Sequence, residues 1–480
     1  MKRCRGVIRA LALTAGFIVL DASLAHSTAQ AAGLNFSDRG VKPLGRGGAW
    51  VAGADDVGAI WYNPAGLADA GTSLMADFAW LNHTASFTRK SQVIDGAGTV
   101  RVYEFPTVTG KSPVLPIPTL GGTYNWGKKQ QYTIAGAIYA PYTALTSFPT
   151  QVDGQPAPQR YSLISLDGSA LVNVGAWFAW KPIEQIRLGI GVGAMVGTFT
   201  STIFFNANPA DRLIGAPEDP NYDSEGKLSA HIFSPIASLG ATFVPVKYVR
   251  IGLSYNLPIW INAPGDMQVR LPTAVLFDKA TVSGEDVRVK FKLPGIFRAG
   301  VEVRPIEAIR AEVTYVREFW GIHDEIEVRP ENIGLNNVTG FPSPYYVPTI
   351  SLPRHFQDSN SFRVGVQGTI NVRNAYKIDL RAGFNYDQSA IPKPYLSPLT
   401  IDMDKYTVSF GGSLHVGKHW RLDAVYARIF APDQEVSPAE AAVPKVNPVR
   451  GNPTATESIN GGSYSASANV FGVGVNYRFK

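Results

Sequence analysis

From about residue 71 onward the chain alternates apolar and polar residues in runs of roughly ten or more, the two-residue period of β-strands with unlike faces. Near the C-terminus Phe471, Val473, Val475, Tyr477 and Phe479 face one way, while Ala468, Gly472, Gly474, Asn476 and Arg478 face the other. Tyr376, Ile378, Leu380, Ala382 and Phe384 likewise oppose Lys377, Asp379, Arg381 and Asn385, and the pattern recurs at 248–257, 308–317 and 419–430. Strands of a soluble sandwich also alternate, but they are commonly about five or six residues long. The runs here are longer, and aromatic residues gather at their ends (Tyr315, Phe319 and Trp320; Trp177, Phe178 and Trp180), as the interfacial girdles of a membrane barrel require. Connections alternate in length as well. Short turns are expected at 127–130, 182–185, 245–247, 305–307, 371–374 and 417–419, and long loops at 90–115, 143–158, 206–227, 263–285, 329–354, 388–401 and 432–463. Pairing each short turn with its flanking strands predicts an all-β fold, a transmembrane antiparallel β-barrel of about fourteen strands.

One stretch does not alternate. Gly33 to Leu67 is rich in glycine, yet it carries Leu34, Phe36, Leu44, Trp50, Ile60, Trp61 and Leu67. Disordered tails are poor in such residues, so the segment is expected to pack as a compact plug. A barrel of the predicted size has room for one in its lumen. In the run from Arg187 to Phe199, Gly189, Gly191, Gly193 and Gly197 share one face. A row of glycine in a strand marks the close approach of another backbone, so this face is predicted to look inward and touch the plug.

The first residues read as an export leader. Lys2, Arg3, Arg5 and Arg9 precede an apolar run from Ala10 to Leu20, and Ala29-Gln30-Ala31 offers a small-x-small cleavage site; a cut after Ala25 is the alternative. The expected division is therefore a signal peptide at 1–31, a plug at 32–70 and a barrel at 71–480. The one cysteine, Cys4, falls in the leader, which leaves the mature chain without disulfides. Removing the leader lowers the formal net charge of +6 to about +3, too little to suggest nucleic acid as a partner.

The Ala32-Gly33 start, the Gly45-Arg46-Gly47 step, the Ala54-Asp55-Asp56 pair and the Asn63-Pro64-Ala65-Gly66-Leu67 run resemble the N-terminal hatch of the FadL/TodX family of outer-membrane transporters. The resemblance implies a monomeric, fourteen-stranded barrel in a Gram-negative outer membrane, with the hatch in its lumen. It also implies passive uptake of hydrophobic compounds and release sideways into the membrane. Leu34, Phe36, Gly45, Arg46, Asp55, Asp56, Asn63, Pro64 and Ala65 would then belong to the gate. Leu34 stands where the family's hatch often has an aromatic residue, and Lys480 follows the terminal Phe479 that such barrels commonly end on. The family places a lateral opening at the third strand, here ending in Ala140-Pro141-Tyr142, where Pro141 lacks the N–H a ladder needs. By the alternation Arg250, Arg288, Lys290, Arg310, Lys377, Arg381 and Arg421 point inward. Each either meets a ligand carboxylate or pairs with Glu312, Asp379, Asp423 and the plug acids.

Long-chain fatty acids are the first expectation for the substrate and monoaromatic hydrocarbons the alternative. A general porin would have no use for a packed plug. An outer-membrane lipase or protease is disfavoured because His83, His231, His323, His355, His415 and His419 are scattered, with no G-x-S-x-G elbow and no H-E-x-x-H motif. No enzyme activity, metal or cofactor is expected.

Overall fold

The computed structural model describes residues 38–94, 99–112, 116–142, 146–209, 218–373, 376–450 and 458–479. The expected leader, together with Leu34 and Phe36, lies outside the described residues. The wall opens with β1 Ser73–Ile94, β2 Pro116–Trp126, β3 Tyr132–Tyr142, β4 Ala170–Ile183, β5 Ile186–Asn206, β6 Asp223–Val246 and β7 Val249–Asn256. There follow β8 Ile259–Arg270, β9 Asp286–Leu293, β10 Ile296–Ile306, β11 Ile309–Glu318, β12 Glu325–Pro330 and β13 Ile350–Pro353. The chain finishes with β14 Ser359–Arg373, β15 Tyr376–Asp387, β16 Lys405–Val416, β17 Trp420–Phe430 and β18 Gly462–Arg478.

Sequential neighbours pair antiparallel, β7 pairs β10, β11 pairs β14, and β18 returns to β1 in register from Ser73↔Arg478 to Arg89↔Gly462. This closes a 14-strand barrel. Closure pairs the first barrel strand with the last, so the fourteen-strand wall has no terminal edge, the condition for a sheet in lipid. β8, β9, β12 and β13 continue the wall upward on the long-loop side, β8 pairing the first part of β6 from Glu225↔Arg270 to Ala230↔Gly265. Strands therefore reach into 206–227 and 263–285, which composition marks as loop, because each finds a partner strand there. Two girdle assignments also change: Trp177 and Trp320 are buried, whereas Phe178 and Trp180 face out.

Three strands break side by side. β7 stops before Leu257-Pro258, β9 before Pro294-Gly295, and β11 before the turn at 319–324, while Asn256 is in register with Ile296, Ile296 with Glu318, and Glu318 with Ser359. Proline has no N–H for the ladder, so Pro258 and Pro294 interrupt pairing where they fall. The result is a crease across one side of the wall.

Inside the half nearest the short turns lie residues 38–72, folded as single turns at Val41–Leu44, Ala59–Tyr62 and Pro64–Asp69. They are almost wholly buried, with Trp50, Tyr62, Ala65 and Leu67 at 0% exposure. The wall accommodates them with glycines. A Cβ at Gly189 would lie 2.3 Å from the Ala65 nitrogen, at Gly252 2.5 Å from the Val51 oxygen, at Gly365 2.4 Å from the Arg46 oxygen, and at Gly383 2.0 Å from the Gly47 nitrogen. Of the glycine face expected on β5, only Gly189 touches this segment. Gly191 makes room for the Trp177 ring, and Gly193 and Gly197 lie against the backbone of β4.

Replacing Gly189 by valine should therefore unseat the segment, making residues 38–70 of the folded barrel sensitive to added protease. Gly136→Ala, where nothing lies within 4 Å of the new Cβ, should leave the digestion pattern unchanged.

Candidate functional site: a filled lumen and two cavities

The inner segment is held by charges that are nearly all matched. Arg46, with no exposed side-chain surface, pairs with Glu302 (3.0 Å) and Glu312 (3.5 Å), and Glu312 also accepts the N–H groups of Val51 (2.6 Å), Ala52 (2.9 Å) and Gly53 (2.9 Å). Arg310 donates to Asp55 (2.7 Å) and to the Gly53 carbonyl (2.6 Å), and Lys42 to Asp55 (2.6 Å). These three cations surround the Trp50 ring at 4.3 Å for Lys42, 4.8 Å for Arg46 and 5.2 Å for Arg310. Arg421 bonds Asp56 (2.9 Å), Arg250 and Arg187 hold Asp69 (2.6 and 3.1 Å), and Arg363 binds Asp38. Burial alone would raise the Asp55 carboxyl, but Lys42 and Arg310 outweigh it and hold its pKa well below the usual range. Asp69 is lowered in the same way, against its burial, by Arg250 and Arg187.

Asn63 ties the inner segment both to itself and to the wall. Its side-chain amide donates to Val51 O (2.8 Å), Ala241 O (3.1 Å) and Thr242 Oγ1 (3.0 Å), while its oxygen accepts the Ala65 N–H (3.1 Å) and caps the turn that Pro64 begins. Proline suits that first position because its φ is preset and its missing N–H would go unused. Gly45 meets the wall at Gly411, whose Cα would lie 3.0 Å from an added Cβ.

The basic residues expected to point inward divide. Arg250, Arg310 and Arg421 reach the inner segment's acids, and Arg381 is buried in the wall against Asp379 (3.4 Å) and Gln367 (3.1 Å). Lys377 is exposed at the short-turn end of β15. Arg288 and Lys290 do not point inward: they lie on the outer face of β9, paired with Glu331 (2.9 Å) and Glu327 (3.0 Å), while Val287, Val289 and Phe291 are buried on the inner face. The polar-inside rule inverts here because β9 belongs to the extension beyond the barrel proper, where the inner face lines an apolar space and the outer face is charged. On β3, pairing with β4 runs to Tyr139↔Asn173 and resumes at Tyr142↔Leu171, so Ala140 and Pro141 form an irregularity in the wall.

Above the inner segment are two cavities. The upper one, of about 540 Å³, is lined by Phe199, Phe205, Leu228, Met267, Ile326 and Leu352 among others, with Ser162 and Ser201 as its polar side chains. Its apolar lining is of the kind that takes an apolar ligand. The lower one, of about 440 Å³, lies directly on Trp61 and is lined by Tyr139, Asn173, Trp177, Ser238 and Asn256.

Sequence reasoning missed Arg354. It follows Ile350 and Leu352 at the same two-residue spacing, a signal present within the stretch assigned to a long loop. The side chain is buried over the Phe356 ring at 4.9 Å, and its Nε and one terminal nitrogen have no hydrogen-bond partner among the described residues. Burial pushes its pKa down to about 9, so the group stays cationic at neutral pH. An unpaired buried cation is costly unless something anionic meets it.

A closed barrel with an apolar outer belt, a filled lumen and an apolar cavity above it defines an outer-membrane transport barrel for hydrophobic compounds. The sequence profile of the outer membrane protein transport protein family (OMPP1/FadL/TodX) matches residues 22–479, and the chain belongs to that family of Gram-negative outer-membrane transport channels. No curated protein matches by sequence. Among solved structures, a Pseudomonas aeruginosa FadL homologue is similar at TM-score 0.70 and 14% identity, over 94% of this chain and 100% of that one. The Pseudomonas putida toluene transporter TodX follows at 0.62 and 15%, over 93% and 99%, and the Ralstonia pickettii toluene transporter TbuX at 0.60 and 14%, over 93% and 100%. At these identities the likeness concerns the fold.

Glu312→Ala should strand Arg46 and three backbone N–H groups, costing about 3–5 kcal/mol in urea unfolding, the usual penalty for breaking a buried pair. Because the Asp55 and Asp69 pKa values are depressed, their contribution is present at neutral pH and lost as pH falls through the folded-state values. Protease sensitivity of the inner segment should therefore stay low at mildly acidic pH and rise only below the ordinary carboxylate pKa of about 3.9.

Proposed function

We propose that the protein takes up long-chain fatty acids passively, the acyl chain lying in the upper cavity and the carboxylate meeting Arg354, with the inner segment as the gate and release sideways into the membrane. The observation that carries this reading is the buried guanidinium two residues beyond Leu352 of the cavity wall, whose Nε and one terminal nitrogen have no hydrogen-bond partner among the described residues. Entering water would cost the chain about 0.8 kcal/mol per CH₂, whereas delivery into the bilayer keeps it in an apolar phase throughout. Ligand binding would open the gate only through interactions that favour the displaced segment over the seated one. Among inner basic residues, Arg250, Arg310 and Arg421 hold the gate rather than the ligand, since each already has a gate carboxylate. The second reading, an aromatic hydrocarbon such as toluene, is favoured by the uncharged lining of the upper cavity and by the toluene transporters among the structural neighbours.

Cells carrying the gene should accumulate radiolabelled oleate faster than cells without it, with no change in permeability to hydrophilic sugars; equal oleate accumulation would sink the fatty-acid reading. Arg354→Met should weaken oleate binding to the purified protein by about 10–100-fold, the worth of a charge-assisted hydrogen bond, and leave toluene binding unchanged.

A further inference from the structure

The end of the barrel that carries the short turns is strongly basic. Lys128 and Lys129 lie in the turn from β2 to β3, Lys247 in that from β6 to β7 and Lys418 in that from β16 to β17, while Lys377 stands at the start of β15 and Arg478 at the end of β18. All are exposed, and none makes an ion pair among the described residues. The exposed carboxylates described at these turns are Glu184, which already faces Lys181 (3.4 Å), and Glu307. The long-loop end is different in kind. There Arg288 and Lys290 face Glu331 (2.9 Å) and Glu327 (3.0 Å), and Asp278, Glu285 and Asp324 are exposed as well. The cationic excess therefore belongs to one end of the molecule.

The same turns are apolar. Ile183, Val246, Ile306 and Val372 are exposed at the turns themselves, and Trp180, Tyr248, Tyr376, Trp420 and Phe479 are exposed at the strand ends beside them. Aliphatic side chains at turn tips are unfavourable in open water and favourable at the boundary of a leaflet, where aromatic rings mark the head-group level. Cations one or two residues from those rings are then held at the height of the lipid phosphates, as Lys247 is with its ammonium over the Tyr248 ring at 4.8 Å. A surface that joins exposed apolar tips to unpaired cations fits an anionic amphiphile. The cations are also spread around the circumference rather than gathered on one side. That spacing suits many small head groups, each meeting its own turn, better than the single footprint of an acidic protein. Short turns of an outer-membrane barrel face the periplasm, so the lipid that meets them belongs to the periplasmic leaflet.

We propose that the short-turn rim is a binding surface for anionic phospholipids of the periplasmic leaflet, Lys128, Lys129, Lys247, Lys377, Lys418 and Arg478 meeting their phosphates. The flanking aromatic and aliphatic residues take the glycerol and the first part of the acyl chains. Such a collar fixes the depth of the barrel in the leaflet and gathers negative charge around the end in which the inner segment sits. It does not depend on which hydrophobic compound is carried.

The full barrel is reconstituted in phosphatidylcholine vesicles with a trace of spin-labelled phosphatidylglycerol or spin-labelled phosphatidylcholine, and the motionally restricted fraction of each probe is read by electron paramagnetic resonance. At low salt the phosphatidylglycerol probe should associate about fivefold more strongly, the worth of one cation near the head-group plane, and the preference should shrink in high salt. Lys128→Gln, Lys129→Gln, Lys247→Gln and Lys418→Gln together should bring the two probes to within about twofold of each other. Lys227→Gln, Lys279→Gln, Lys292→Gln and Arg329→Gln, which remove the same charge from exposed positions at the long-loop end, should leave the preference intact. Equal association of the two probes with the unmodified protein overturns the proposal, as does a preference that survives the rim substitutions or is lost equally in both sets. Unmodified protein that binds soluble poly-glutamate but shows no preference between the lipids makes the rim a docking surface for an acidic protein instead. A measurement without substitutions covers a variant that folds poorly: a photoreactive phosphatidylglycerol should label the short turns, and labelling confined to the long loops overturns the proposal.

Discussion

Everything in the lumen depends on how closely two backbones can approach. Wall glycines on β5, β7, β14 and β15 stand where the inner segment's main chain passes, and an added Cβ at any of them would overlap it. That proximity brings Glu312 within reach of three successive N–H groups and lets Arg46 lie wholly buried between two carboxylates. Buried ion pairs add little net stability over apolar packing, but removing one partner leaves an uncompensated charge. Such a network specifies one seated position for the segment.

The same charges make the seat reversible in principle. Arg310 shares itself between Asp55 of the segment and Glu302 of the wall, and Arg421 between Asp56 and Asp423. If the segment moves, Arg310 keeps Glu302 and Arg421 keeps Asp423 as wall partners. Asp69 depends on two wall arginines together, and Asn63 on two groups of β6, so the end of the segment that joins β1 is tied to the wall by polar contacts that the rest could pivot about.

Above the seat the barrel changes character. At the crease the ladders of β7, β9 and β11 stop, and beyond it β8, β9, β12 and β13 present apolar residues inward, with charged residues on the outer faces of β9 and β12. Lower in the wall, Leu253, Val301 and Leu380 face out and Arg250, Glu302 and Asp379 face in. The reversal follows the surroundings: the outer face meets lipid below and water above, while the lumen passes from the packed segment to an apolar pocket. The crease therefore separates a lumen filled by a charge-paired segment from a space lined by hydrocarbon, and the lower cavity sits at their boundary.

Alternation, together with the length of the runs and of the connections between them, predicted the barrel and the side of most wall residues, because a period of two assigns each residue to a face without knowledge of its partners. Glycine and aromatic content likewise marked residues 33–67 as packed, and the short runs around Gly45, Asp55 and Asn63 tied the chain to its family. What alternation cannot carry is the medium each face meets, so Arg288 and Lys290 were expected inside and lie outside. Nor does it show where a ladder fails to form: His231 to Ala237 of β6 lie between its ladders with β7 and β8, and only tertiary pairing brings Pro235 and Pro258 to the two sides of that interruption. Arg354 was hidden for a related reason. That two of its guanidinium nitrogens lack a hydrogen-bond partner among the described residues is a property of the space around it, set by the packing of β13 and the Phe356 ring rather than by the local sequence.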